Sequence, residues 1–399
     1  MHLLAAPLAL AGTLLLSLSL PSPALAWGAA GHEIVATLAE IHLHPSVLSF
    51  LRSPDSRLVP PSAAGHLAPL ATWADGIRMV PAYRGWSGAL HYTSWEGDHP
   101  PEVCAWPGRS EGEGGARGED GGEGGHWHSD LDVLHAISNY TTRLADNPDD
   151  WEAFRFVLHF LGDVHQPMHL TSRERGGNGD FVLWEGRRSN LHSVWDGLLI
   201  ARALREQHNY TTPLPSKQIE SALTGRIYDP YIRLLLWEGV RTWWRDLLPS
   251  WLSCTPSSSS SPARPRGDSP HANPQRPFLA LTPPPPPARD QSICPLVWAF
   301  ETHQTTCAMG FPEGYKMDPP LHEVGGRSEF YRKIRDSLTI ERLLTQAGLR
   351  LASVLNTVLG PAARAHRAAQ LGLERLEEGE GEEGAVNWAW MREAEREGW

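Results

Sequence analysis

Along this 399-residue chain, apolar side chains recur at spacings of three and four residues in segment after segment. Segments 33–43, 129–144, 149–164, 217–224, 230–245 and 328–358 carry that pattern and are predicted to be helices. Few stretches alternate with a period of two, and those near 180–186 predict at most a short hairpin. The expectation is therefore an all-α fold. Three stretches break the pattern. Residues 108–125 are rich in Gly and Glu, residues 255–290 in Ser and then Pro, with five consecutive prolines from Pro283, and the tail after about 372 in Glu and Gly. Such compositions bury too little apolar surface to offset the cost of ordering. They read as insertions on one domain spanning 27–360, followed by a tail, 361–399, expected to be disordered in part. There is no internal repeat.

The N-terminus has a different character. Residues 2–26 form an apolar run ending in Ala-Leu-Ala, which reads as a secretory signal peptide (1–26) with a small-residue cleavage site. Its n-region lacks Lys and Arg. A membrane anchor is the competing reading, but Pro21 and Pro23 interrupt the run and a polar, His-containing segment follows at once. A secreted, extracellular protein is expected. In that compartment Cys104, Cys254, Cys294 and Cys307 can form disulfides, with three complete pairings open. The N-x-T sequons at Asn139 and Asn209 are then candidate glycosylation sites.

Composition changes the picture at one point. The net charge is −11, so a basic face that grips nucleic acid phosphates is not in evidence. If the substrate is polyanionic, bound metal must supply the positive charge. The tryptophans number 17, many between Trp237 and Trp251. Their helical spacing favours a core or groove-wall role over a platform for bases.

The strongest local signal is His159-Phe-Leu-Gly-Asp163, continued by Val-His-Gln-Pro-Met-His169. Residues four apart share a helix face, so His159 and Asp163 can bind one metal together. Gln166 and Pro167 end that helix, and His169 comes from the following turn. Thirty residues on, His192 and Asp196 repeat the spacing. One such pair has ordinary surface pairing as its competitor; two pairs plus an extra His point to a metal site. Upstream, Asp75 and Arg78 sit three apart on a predicted helix, with His91, Trp27 and His32 as further candidates.

On these residues the chain resembles the single-strand-specific zinc nucleases of fungi and plants, the S1/P1 nuclease family, which is related to the bacterial zinc-dependent phospholipases C. The likeness runs from Trp27 to about Gly360, interrupted by the two insertions. It implies a multi-helix fold with a tri-zinc cleft. In this sequence Asp75, His91, His159 and Asp163 would hold one zinc. Trp27, through a freed α-amine and its carbonyl, would hold a second with His32 and the shared Asp163. His169, His192 and Asp196 would hold the third. The resemblance further implies that metal-activated hydroxide attacks phosphorus in line. Asp75 would orient the water and Arg78 would stabilise the transition state. Substrates would be single-stranded DNA or RNA, cut to 5′-phosphate products, and 3′-nucleotides, handled by a monomer. Tyr92 stands where relatives stack a base, with a core aromatic as the alternative. Ser94 departs from an Asp that some relatives use to hold the base. Asn178 is read as setting a loop, and His165 as lying behind the ligands or exposed. Cys104 matches a family cysteine, with Cys294 and Cys307 as candidate partners, and the pairing of Cys254 stays open. A phospholipase C and a non-catalytic zinc-binding glycoprotein are the competing functions.

Overall fold

The computed structural model describes residues 27–106, 127–254, 293–316, 320–374 and 384–399. The expected signal peptide and both expected insertions, 108–125 and 255–290, lie outside the described residues. In chain order, α1 (Ala29–Ile41), α2 (Pro45–Leu51) and α3 (Trp73–Ile77) precede α4 (Val133–Asp146) and α5 (Trp151–Asp163). A 3-10 turn (Pro167–Leu170) and the antiparallel strands β1 (Phe181–Trp184) and β2 (Arg187–Asn190) follow. The turn Leu191–Ser193 and a π-helical segment (Val194–Leu198) then lead into α6 (Leu199–Glu206). Next come α7 (Asp229–Leu234), prolonged by a π segment (Leu235–Trp243), then α8 (Pro295–Met309), α9 (Glu329–Asp336), α10 (Thr339–Gln370) and α11 (Ala389–Glu397). The molecule is a mostly helical single domain.

Local chemistry explains the elements that matter for function. Asp132 and Asp150 cap α4 and α5, each accepting a backbone N–H three residues on at 2.9 Å, which satisfies an otherwise orphan donor. From Phe156 onward every residue of α5 is buried, His159 and Asp163 included. The pair on its face therefore lies in the core. Pro167 forces Gln166 into extended backbone (φ −98°, ψ 118°), and this ends the helical path. The hairpin closes on Glu185 and Gly186, both at positive φ, as a two-residue turn demands. Packed along α1, α2 and α5, α10 is the spine of the fold. At Gly348 a Cβ would meet Leu38 Cβ at 2.5 Å, so only glycine lets α1 and α10 approach this closely.

Several expectations are corrected. The single helix expected over 328–358 is two, because Leu338 adopts left-handed backbone (φ 51°) between α9 and α10. The 217–224 segment is helical only over Lys217–Glu220. Neither α2 nor α8 was predicted. In α8 buried side chains, among them Val297, Trp298, Thr302 and Thr305, point in several directions, so no single apolar stripe marks it. Part of the tail is ordered, within the expectation: α11 buries Trp390 completely, and Asn387 Nδ2 donates to Leu43 O at 3.2 Å. Trp244 and Trp251 are buried and Trp237 stacks on Trp390, which makes the tryptophan block part of the core. Cys104 pairs with Cys307, and Cys294 pairs with Cys254; Cys294 is thus not the partner of Cys104. Among the described residues no helix is long and apolar enough to cross a membrane.

Candidate metal centre

Five buried side chains from four parts of the chain meet at α5. His159 Nε2 lies 3.4 Å from Asp163 Oδ2, and Asp75 Oδ1, from α3, lies 3.7 Å from the same nitrogen. His91, ending a 3-10 segment (Ser87–His91), brings Nδ1 to 2.9 Å from Asp163 Oδ2 and 3.1 Å from His159 Nε2. His32, from α1, stacks on the His159 ring with centroids 3.8 Å apart and sets Nε2 3.3 Å from Asp163 Oδ1. The two oxygens of Asp163 thus face different partners, Oδ1 toward His32 and Oδ2 toward His91 and His159. The first two expected ligand sets interleave: His32, Asp75 and His159 converge as closely as His91, His159 and Asp163, all within 4.8 Å. At Gly162 a Cβ would stand 2.7 Å from His32 Nδ1, so the glycine beside Asp163 makes room for that imidazole. The Trp27 side chain is buried too, and its neighbour Gly28 donates its N–H to Asp196 O at 2.7 Å.

A second group holds His169, His192 and Asp196, again within 4.8 Å. His192 Nε2 is 3.1 Å from Asp196 Oδ2, and the His169 and His192 rings stack at 5.1 Å. His169 Nδ1 lies 3.9 Å from Asp163 Oδ1, which joins the two groups.

The hydrogen bonds around the histidines decide which nitrogens remain available. Nδ1 of His159, His169 and His192 is held by the backbone carbonyls of Ala71, His91 and Gly176 at 2.6–2.7 Å. A carbonyl only accepts, so each Nδ1 carries the proton and Nε2 presents a lone pair to the cluster. His42 and His165 make the same Nδ1–carbonyl bond, to Leu38 and Leu161. Their Nε2 atoms, however, receive donors, from Trp390 Nε1 at 3.2 Å and Arg350 at 2.9 Å. Those two are structural, and His165 is wholly buried rather than exposed. In the clusters, by contrast, His32 Nε2, His91 Nε2, His169 Nε2, Asp75 Oδ1, Asp163 Oδ1 and Asp196 Oδ2 are buried without hydrogen-bond partners. So many orphaned donors in one volume are costly unless a cation satisfies them.

Electrostatics agree. Burial, and then the other imidazoles, lower His32, His91 and His169, while His159 falls to about 3, chiefly through burial. Burial raises Asp163, helped by the charges of Asp75 and Asp196. It raises Asp75 to about 7 against the pull of Arg78. At His192 burial is outweighed by Asp196, and its pKa rises. Buried carboxylates short of a counter-charge, packed among imidazoles that mostly resist protonation, form a group whose ionised carboxylates and neutral imidazoles a divalent cation would stabilise. The residues present fit bound zinc.

A family profile described as S1/P1 Nuclease matches residues 27–245, more than half of the chain. The chain belongs to the S1/P1 nuclease family. It is similar to Endonuclease 2 of Arabidopsis thaliana, 27% identical over 344 residues, which cover 84% of this chain and 91% of that protein. It is also similar to Nuclease P1 of Penicillium citrinum, 34% identical over 174 residues, 43% of this chain and 57% of that enzyme. Nuclease S1 of Aspergillus oryzae is 34% identical over 173 residues, covering 43% and 53%.

Around the donors of this nuclease, Arg78 sits at the rim, with Nη2 3.3 Å from Asp75 Oδ1 and its side chain 20% exposed. Tyr92 is 54% exposed, so it is not a core aromatic. Ser94 Oγ lies 2.9 Å from His128 Nδ1. Asn178 Nδ2 donates to Arg175 O at 2.9 Å, closing a loop with positive φ at Glu174, Arg175, Gly176 and Gly177. Asn139 and Asn209 are both exposed. In the sequence Gln166 is marked only as a helix stop. It is wholly buried, its Nε2 donates to Asp196 Oδ1, and its Oε1 accepts from Met168 N. It thereby leaves Asp196 Oδ2 free to face the cluster.

Proposed function

We propose that the mature chain, freed of residues 1–26, is a secreted zinc-dependent endonuclease. It hydrolyses single-stranded DNA and RNA to 5′-phosphate products and removes the phosphate of 3′-nucleotides. The observation that carries this reading is the convergence of orphaned, buried His and Asp donors on Asp163, with Arg78 at the rim. Asp75, His91, His159 and Asp163 would hold one zinc, Trp27, His32 and Asp163 a second, and His169, His192 and Asp196 a third. Bound zinc supplies positive charge for phosphate oxygens and lowers the pKa of water into the neutral range, which suits an acidic protein acting on a polyanion. Asp75 orients the attacking water. Arg78 donates to the phosphate as charge builds on it, where a planar guanidinium matches two oxygens at once. The exposed ring of Tyr92 offers a face for a base. Asn139 and Asn209, on the surface, would carry glycans, and the enzyme would act as a monomer.

Assays on denatured DNA, RNA, 3′-nucleotides and phosphatidylcholine in parallel, with elemental analysis, test the proposal. Cleavage of both nucleic acids and of 3′-nucleotides, with about three zinc per chain, is the expected result. Hydrolysis of the phospholipid alone, or pure active protein holding no zinc, overturns it.

A further inference from the structure

One turn before His159 on α5, Arg155 occupies a setting unlike that of the buried arginines among the described residues. Its guanidinium lies in the corner between two indoles that meet nearly at right angles. Cζ is 5.5 Å from the Trp73 ring centroid and 4.9 Å from that of Trp151, and the rings are 5.6 Å apart at 82°. Nε is enclosed without a partner, and no hydrogen bond or ion pair reaches the side chain from the described residues. Arg173, Arg233 and Arg350, all buried, instead face Glu102, Glu220 and Glu301. The carboxylates near Arg155 in sequence are engaged elsewhere. Asp150 caps α5 and pairs with Arg143, and Glu152 accepts from Arg143 and from the Tyr83 hydroxyl.

A half-buried cation with no counter-charge among the described residues has an electrostatic need that an incoming anion can meet. Its indole walls hold the guanidinium in place by cation–π attraction. Trp151 is 40% exposed, so part of its indole is accessible to a planar ring. A fixed guanidinium beside an open indole is the chemistry that receives the phosphate and base of one nucleotide in a single strand. The placement suits a strand running to the metal donors. Arg155 and Trp151 precede Asp163 by eight and twelve residues, about 12 and 18 Å along the helix, and Trp73 is two residues from Asp75 on α3.

We propose that Arg155 and Trp151 form an accessory subsite, apart from the metal centre, that holds a nucleotide flanking the scissile bond of a single-stranded substrate. The phosphate sits on Arg155 and the base on Trp151. This rests on the single-strand reading above. The test compares wild type, Arg155→Gln, Arg155→Lys and Trp151→Ala on a 3′-mononucleotide, a dinucleotide and long single-stranded oligonucleotides, each with its full zinc complement. For the long substrate, Arg155→Gln and Trp151→Ala should raise KM about five- to tenfold, the loss expected for one stacked base or phosphate contact. The mononucleotide parameters should not change. The dependence of log kcat/KM on log salt should flatten by about 0.7 in Arg155→Gln, one single-strand phosphate contact, and Arg155→Lys should restore it. Equal effects on short and long substrates, or none on either, overturn the subsite. If Arg155→Gln fails to fold, Trp151→Ala and Arg155→Lys decide by the same criteria. A wild type that leaves single strands uncut fails the substrate reading instead, so the two failures are told apart.

Discussion

At the scale of single residues, the centre depends on which atom of each side chain is left bare. Gln166 holds one oxygen of Asp196 while capping the turn that carries His169, so it acts on two donors of the same group. Gln166→Ala should weaken binding of the zinc held there about 10–100-fold. Competition with a chromophoric chelator would show it as one zinc released early, and a release curve matching wild type would refute it. Arg78 is not a metal ligand, so Arg78→Ala should keep its zinc and lose roughly 10²–10³-fold in kcat; a change confined to KM would mean ground-state binding instead. Trp27 poses a covalent question. An internal peptide nitrogen has its lone pair delocalised into the carbonyl, whereas a free α-amine, with a pKa near ~8, yields its proton to a metal. A form bearing one added Gly before Trp27 should therefore hold less zinc and turn over more slowly than the mature chain. Equal zinc and equal rates would exclude the amine as a ligand.

At the scale of elements, α11 shows how a polar-looking tail joins the fold. It is anchored through His42, the residue that ends α1, which donates Nδ1–H to Leu38 O and accepts from Trp390 Nε1. Burial holds the His42 pKa at about 4, against 6.5 ordinarily. The folded state thus refuses a proton that the unfolded chain accepts. The anchoring is intact above pH 6.5 and weakens as pH falls toward 4, by as much as about 3 kcal/mol. A protonated Nε2 also cannot accept from Trp390. Hydrogen exchange, corrected for intrinsic rates, should show α11 losing protection through that window, before the centre of α10 does. Flat protection of α11 from pH 6.5 to 4 would contradict this.

At the scale of the whole molecule, two disulfides tie distant stretches together. Cys254–Cys294 spans 40 residues and Cys104–Cys307 spans 203. Loop-closure entropy assigns about 4 and about 5 kcal/mol to them. Denaturant unfolding of Cys254→Ser/Cys294→Ser and of Cys104→Ser/Cys307→Ser should show losses of that order, the second larger. Unchanged midpoints in both double variants would mean that the folded chain gains nothing from its cross-links. The second bridge also fastens α8 to the stretch around Cys104.

Spacing alone put His159 with Asp163 and His192 with Asp196, because a four-residue step returns to the same helix face whatever surrounds it. It also marked α4, α5 and most of α10, whose apolar stripes face one core. The sequence offered Trp27, His32, Asp75, His91 and His169 as further candidates, and the resemblance grouped them into ligand sets, which spacing could not do across so many residues. Packing decided the rest. Burying α8 on several sides erased the periodicity that would have revealed it, and α11 needed only Val386, Trp390, Met391 and Ala394 to dock. The partner of Cys294, the hold of Gln166 on Asp196 and the corner that encloses Arg155 all join residues far apart in the chain or lodged in different elements. No local pattern encodes such contacts, since they exist only once the helices have found one another.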